Sequence, residues 1–227
     1  GELIKILKNK NIANDANIFE PSEVSISTLS DVHDEAYINK INHLTLNKEE
    51  VRRLGFPLVK SVRRRSFVAT GGTVLASKLA VKKKLACNTA GGSHHAFSDQ
   101  GNGYCVFNDV AVAAKYLKKK YNYKKILILD LDVHQGDGTA KIFENDDSIF
   151  TVSVHSKKNY PSKKQISNID IELDDGIADD EYINVISHVL KKIENQNFSF
   201  VFYVAGVDVH YQDRLGKLKI SENGIRQ

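Results

Sequence analysis

Lys125-Ile126-Leu127-Ile128-Leu129-Asp130-Leu131-Asp132-Val133-His134-Gln135-Gly136-Asp137-Gly138 decides how this chain is read. The first half is a short apolar run with β-branched content, the pattern of a strand covered on both faces. The second half turns abruptly acidic, and its two glycines lead into a helical stretch from Thr139 to Glu144. Parallel α/β sheets bind their ligands at the carboxyl ends of strands. Asp130, Asp132, His134 and Asp137 therefore stand where chemistry is expected. Asp132 and His134 are two apart, so on an extended chain they point the same way, which suits a pair of metal ligands. A plain strand-to-helix turn with a capping aspartate would account for Asp137 alone. Three acids and a histidine directly after a buried strand require more.

Two further strand ends carry similar residues. Leu85 to Asn88 is predicted as a short strand that runs into Thr89-Ala90-Gly91-Gly92-Ser93-His94-His95. The glycines permit a tight turn before the paired histidines. Phe198 to Ala205 is a strongly apolar strand candidate ending in Gly206-Val207-Asp208. Ser148–His155 and Asp170–Leu173 complete the strands. Helices are predicted over residues 1–10, over Asp31–Asn42 with Ser30 as N-cap, and from Asn47 to near Gly55. Others are predicted over residues 58–83 with an interruption at Gly71-Gly72, over Val110–Lys120 capped by Asn108 or Asp109, and over Asp179–Gln196. The last has acids in its first turn and lysines later, as the helix dipole favours. Asn11–Ile18 reads as loop and Phe19–Val24 as a short extended piece. His33 and His43 read as surface histidines without a role. The alternation of strand and helix predicts an α/β fold with a mainly parallel, helix-covered sheet.

The chain's 227 residues, 41% hydrophobic, suffice for one sizeable core, so a single domain over 1–227 is expected. The net charge of +4 is a mild excess. Its runs (Arg63–Arg65, Lys82–Lys84, Lys118–Lys120) read as solvated helix faces, which argues against direct nucleic-acid binding. Two cysteines and no secretory leader point to a reduced, intracellular setting: cytoplasmic, or nuclear in a eukaryote. No apolar run approaches the roughly 18 residues that span a membrane. No Met occurs, even at position 1, so the sequence is expected to be a piece of a longer product.

Asp132, His134 and Asp208 form a three-ligand set with an open position, as a catalytic zinc site needs. Zn²⁺ is the first choice, and two carboxylates with one imidazole also suit Fe²⁺ or Mn²⁺. His94 and His95 are left to handle protons, with Asp130 and Asp137 as candidates to orient them. Metal-assisted hydrolysis of an amide or ester follows. A two-metal site would want another carboxylate beside His134, which Gln135 and Gly136 do not supply.

These residues, with Gly101-Asn102-Gly103-Tyr104-Cys105, Tyr203-Val204-Ala205-Gly206-Val207-Asp208 and Asp213-Arg214-Leu215-Gly216, resemble the histone deacetylase superfamily in order and spacing, closest to its class IV type. The resemblance covers the chain from about residue 60 onward. It implies the arginase/deacetylase fold, a three-layer α/β/α domain, with zinc at Asp132, His134 and Asp208. It pairs His94 with Asp130 and His95 with Asp137, and makes His95 the general base. It places Tyr104 and Tyr160 as aromatic walls around an acyl-lysine stem, where family members often carry Phe. It gives the Gly103 carbonyl the substrate amide N–H, makes Leu215 pocket-lining, and suggests a monovalent cation near Asp130, Asp132, His134 and Ser153. An acylated lysine peptide or related acylated amine is the implied substrate. A ureohydrolase of the same fold is disfavoured by Gly136. The family's opening strand and its later Gly-Gly-Tyr loop have no counterpart here, so a domain incomplete at both termini is expected. That leaves two readings: a deacylase, or an inactive module that retains the metal and acyl-lysine pocket.

Overall fold

Four runs of aliphatic and aromatic residues form the sheet in the computed structural model, which describes residues 2–227: β1 (Ile126–Asp130), β2 (Ile149–Ser156), β3 (Ile169–Leu173) and β4 (Phe200–Val204). All pair in parallel, in the order β3-β2-β1-β4. The chain steps outward from β1 to β2 and β3, then crosses to the far side of β1 as β4. The direction of winding reverses at β1, and a crevice at the carboxyl ends is the expected ligand position. Asp130, the last residue of β1, lies in register with Ser153 and Val204, so both neighbours flank the site.

The alternation within β1 sorts the core into two layers. Ile126 and Ile128, with Phe202 and Val204 of β4, pack against Phe67 and Val74 of helix α5 (Lys60–Lys83) and the Val/Ala face of α6 (Asp109–Tyr121). Leu127 and Leu129 face the other way, with Val152 and Val154, onto Tyr182, Val189 and Ile193 of α8 (Asp179–Ile193). The result is a sheet between helices, three layers deep. The remaining helices are α1 (Glu2–Asn9), α2 (Ile26–Leu29), α3 (Glu35–His43), α4 (Lys48–Leu54), α7 (Asp137–Phe143) and α9 (Glu222–Arg226). Asn47 and Glu50 close a reciprocal capping box at the start of α4.

Several expectations from the sequence are corrected. Leu85–Asn88 is not a strand: Leu85 is 79% exposed, and the segment joins no ladder. Its apolar content is too small to hold a place in the sheet, and Asn88 instead turns inward to donate to the Ala69 carbonyl and the Thr73 hydroxyl. Phe19–Val24 forms no strand either; Val24 donates its N–H to the Phe67 carbonyl and packs on α5. Ser30 does not open the third helix. It ends α2, and α3 begins at Glu35 with Asp34 in the N-cap position. The predicted helix 179–196 is α8 followed by one turn of 3-10 helix, Glu194–Gln196.

Gly71-Gly72 does not interrupt α5, which runs unbroken for 24 residues. The pair serves close packing: a Cβ on Gly71 would lie 2.0 Å from the Ser22 carbonyl oxygen. Alanine is the better helix former by about 1 kcal/mol, so propensity and packing oppose each other here. Gly71→Ala is expected to destabilise the protein by about 1–3 kcal/mol in urea unfolding, the usual cost of overpacking; a stabilised variant would show that the 19–24 segment is loosely held.

His33 is buried, not a surface residue, and its Nε2 accepts from the Asn108 N–H. Burial, opposed by neighbouring backbone groups, lowers its pKa from 6.5 to about 4. The unfolded chain therefore takes up this proton first. The contribution to stability is full above pH 6.5 and declines as pH falls toward 4, by about 3 kcal/mol in all. His33→Gln, which keeps an acceptor, is expected to flatten that part of the stability–pH curve measured by denaturant titration.

Candidate active site

The stretch after β1 does not continue as an extended strand. It bends at Asp132–His134, and side chains hold the bends. Asp132 N–H donates to Asp130 Oδ1 (3.1 Å), His134 N–H to Asp132 Oδ1 (2.9 Å), and Val133 N–H to Asp208 Oδ1 (3.1 Å). The last bond ties the end of β1 to the loop after β4. Gly206 makes room for this: a Cβ there would sit 2.5 Å from Asp132 Cα.

These bends bring the three sequence-predicted ligands together. One donor atom each from Asp132, His134 and Asp208 falls within a 4.8 Å group, with His134 Nδ1 2.9 Å from Asp132 Oδ1 and 3.0 Å from Asp208 Oδ2. Burial disfavours the charged His134 ring, yet the two carboxylates outweigh it and raise the pKa to about 9. Asp132 is pulled below the usual carboxylate range by its bonds to His134 and by the His94 charge, against the effect of burial. Two carboxylates and one imidazole converging in this way fit a divalent cation. Gly136 lies beside Asp130, and a Cβ on it would crowd Asp130 Oδ2.

Behind this cluster lie two histidine–aspartate pairs. His94 Nδ1 is 2.6 Å from Asp130 Oδ2, and His95 Nδ1 is 2.6 Å from Asp137 Oδ1; all four side chains are buried. The two rings are 4.1 Å apart, and His95 faces His134 edge-on at 5.8 Å. Burial disfavours a charge on either ring, but their surroundings separate them. Asp130, aided by Asp132 and Asp137, raises His94 to about 10. Burial, followed by the charge on His94, lowers His95 to about 4 despite its bond to Asp137. Environments that drive two such groups apart are the usual means of assigning a proton holder and a proton acceptor.

Tyr160 closes one side, its ring 4.8 Å from His95 and nearly perpendicular to it. Gly103 fills the gap between them. A Cβ there would lie 2.7 Å from the His95 ring and 2.8 Å from the Tyr160 ring, and the backbone has φ +50°. Tyr104 is placed differently from Tyr160. Its ring stacks on Phe56 at 6.1 Å and leaves the side chain 69% exposed. Leu215 is 68% exposed, its carbonyl accepting from Asn159 Nδ2 at 2.9 Å beside Tyr160.

Four positioning residues were not singled out by sequence reasoning. Asp109, buried at the start of α6, accepts from the Gly92 and Ser93 N–H groups and from the Thr73 hydroxyl, and so holds the turn before the histidines. Asn108 caps α6 through Ala111 N–H while its amide donates to the His94 and Ala96 carbonyls and to Thr139. Gln135, buried, clamps Gln165 N–H and carbonyl and Asp170, fixing the loop that carries Tyr160. Asn102 donates to Asp137 Oδ2 at 3.4 Å. The Asn108-Asp109 pair was visible only as a helix cap.

The whole chain, residues 1–227, matches the histone deacetylase domain. The chain belongs to the histone deacetylase family. It is 43% identical over 209 residues to an uncharacterized protein of Picosynechococcus, covering 92% of this chain and 70% of the relative. It is 30% identical over 236 residues to histone deacetylase 2 of Arabidopsis thaliana, covering 99% and 61%, and 27% identical over 244 residues to the acetoin utilization protein AcuC of Staphylococcus aureus, covering 97% and 62%. The crystal structure of a histone deacetylase homologue from Aquifex aeolicus superposes with a TM-score of 0.87 at 26% identity over 98% of this chain and 66% of that one; a homologue complexed with SAHA gives 0.86. The fold is thus the arginase/deacetylase fold. The chain spans between 61% and 70% of the length of these relatives. No helix among the described residues is long and apolar enough to cross a membrane.

Asp109→Asn would replace one acceptor oxygen with an amine facing N–H donors. It is expected to cost about 1–3 kcal/mol of stability. It should also broaden the low-field imidazole proton resonances of the two histidine–aspartate bonds in ¹H NMR. Unchanged resonances would remove Asp109 from the support of the pair.

Proposed function

We propose that this chain hydrolyses the amide of an acylated lysine side chain or a related acylated amine. The observation that carries the reading is the convergence of two buried histidine–aspartate pairs on the Asp132–His134–Asp208 group, all at the carboxyl ends of β1 and β4. The match to the histone deacetylase domain supports a deacetylase-type activity.

Asp132, His134 and Asp208 would hold the divalent ion, Zn²⁺ first and Fe²⁺ or Mn²⁺ as alternatives. When bound, that ion supplies Lewis acidity, polarising a carbonyl and lowering the pKa of water. The chain's own residues supply the remaining steps. His95, neutral and held by Asp137 through Nδ1, presents Nε2 as the base that takes the water proton. The water oxygen joins the carbonyl carbon, the C–N bond breaks, and the proton returns from His95 Nε2 to the leaving amine. His94, kept protonated by Asp130, contributes positive charge where the oxyanion develops. Tyr160 and Gly103 bound the space beside His95, with the Gly103 carbonyl as acceptor for the scissile N–H. Tyr104 and Leu215 stand at the outer rim.

Turnover of acetyl-lysine and myristoyl-lysine peptides by the Zn²⁺-supplemented protein tests the reading. His95→Ala is expected to lower kcat by about 10²–10⁴ with metal content unchanged, and His134→Ala to abolish stoichiometric metal in elemental analysis. Acyl-peptide binding without turnover would replace the enzyme with a binding module. Neither binding nor turnover would remove both.

A further inference from the structure

The rim of the site carries most of the chain's excess charge. Lys157, Lys158, Lys163 and Lys164 fall in the loop that presents Tyr160, and residues 157–164 include no acid. The loop that presents Leu215 adds Arg214, Lys217 and Lys219 against Asp213 within 211–219. Four charges from the first loop and two from the second give a net six, against a net four for the whole chain; the rest of the molecule is slightly acidic.

The two loops form one surface. Lys217 Nζ donates to the Lys158 carbonyl at 3.2 Å, and Asn159 Nδ2 to the Leu215 carbonyl at 2.9 Å, immediately beside the Tyr160 ring that faces His95. Lys157 and Lys158 lie 4.0 and 3.8 Å from Glu172 and Asp175, exposed pairs worth little. Among the described residues, Lys163, Lys164, Arg214 and Lys217 have no carboxylate within 4.0 Å. Lys164 is folded onto the Asn159 and Pro161 carbonyls and Lys217 onto that of Lys158, leaving Lys163 and Arg214 to the solvent.

We infer that the acylated lysine enters from an acidic peptide segment, its flanking carboxylates meeting Lys163 and Arg214. The inference rests on the acyl-lysine reading above and narrows its substrate class. A basic sequence, such as a lysine-rich tail, would approach the same rim against like charge. An acidic peptide is favoured over nucleic acid because the charge is confined to the two loops beside Tyr160, next to the reactive groups, while the rest of the chain is slightly acidic.

Binding by fluorescence anisotropy to the Zn²⁺-supplemented protein at low ionic strength provides the test. The probes are N-acetyl-lysine peptides flanked on both sides by Glu, Gln or Lys, each with an unacylated twin. The Glu-flanked acylated peptide is expected to bind about tenfold more tightly than the Lys-flanked one, two exposed ion pairs' worth. The preference should shrink with added salt and reverse in Lys163→Glu/Arg214→Glu. It should persist in Lys120→Glu/Lys124→Glu, which makes the same charge change elsewhere. Equal binding of all three acylated peptides, with weak binding of their twins, would overturn the rim inference and leave the acyl-lysine reading intact. Acylation-independent binding of the Glu peptides, or equally tight binding of single-stranded RNA, would overturn the inference by making the rim a general anion surface. No binding by any acylated peptide would overturn both.

Discussion

Four carboxylates crowd the carboxyl ends of β1 and β4, and the site depends on how their repulsion is relieved. Asp130 and Asp137 are buried, while Asp132 and Asp208 are partly so. Two like charges 4 Å apart at an effective dielectric constant of 20 repel by about 4 kcal/mol. Each carboxylate therefore lies against an imidazole: His94 on Asp130, His95 on Asp137, and His134 between Asp132 and Asp208. His95, kept neutral, offsets no charge. His94 and His134 offset one charge each, which leaves the four carboxylates in excess, and a dication in place of the His134 proton would bring the group closer to neutrality. The same electrostatics that favour a cation there also separate the protonation of the two histidines behind it.

This arrangement needs a backbone that brings charged groups together without relaxing, and buried amides provide it. Asn108 joins the carbonyls of His94 and Ala96 to Thr139 at the start of α7, so the histidine loop is tied to the Asp137 helix. Asp109 fixes the preceding turn. Gln135 connects the residue after His134 to the loop of Tyr160. Each is a polar group that is costly to bury unless fully bonded, so each favours a single geometry for the groups it joins.

The sequence made legible whatever rested on apolar runs and on chemistry-bearing residues at their ends. β1, β2 and β4 are strongly apolar, and Asp132, His134 and Asp208 follow β1 and β4, so both the strands and the convergence of these three side chains could be read. The strand expected at Leu85–Asn88 failed because three residues of modest hydrophobicity beside Lys82–Lys84 cannot outcompete the polar contacts of Asn88. Gly71-Gly72 was misread because a glycine pair looks the same whether it breaks a helix or admits a neighbouring backbone. The buried roles of His33, Asn108 and Asp109 were hidden for a related reason: a buried polar residue carries no periodicity, and only its partners, 12 to 75 residues away, reveal what it does.

The three candidate ligands also differ in what anchors them. Asp132 and His134 follow the central strand, which is paired on both sides. Asp208 follows β4, which pairs only with β1 among the described residues and leaves Val201 and Tyr203 exposed on one face. The Asp208 carboxylate reaches the cluster through one backbone bond, from Val133 N–H, and through His134. A cation shared by Asp132, His134 and Asp208 would therefore clip β4 to β1 across the reversal in winding. Ligand binding of this kind stabilises the folded state in proportion to the logarithm of ligand concentration over Kd. The least anchored of the three, Asp208, would gain most from it, so occupancy of the cluster would support the β1–β4 edge through the geometry of the shared site.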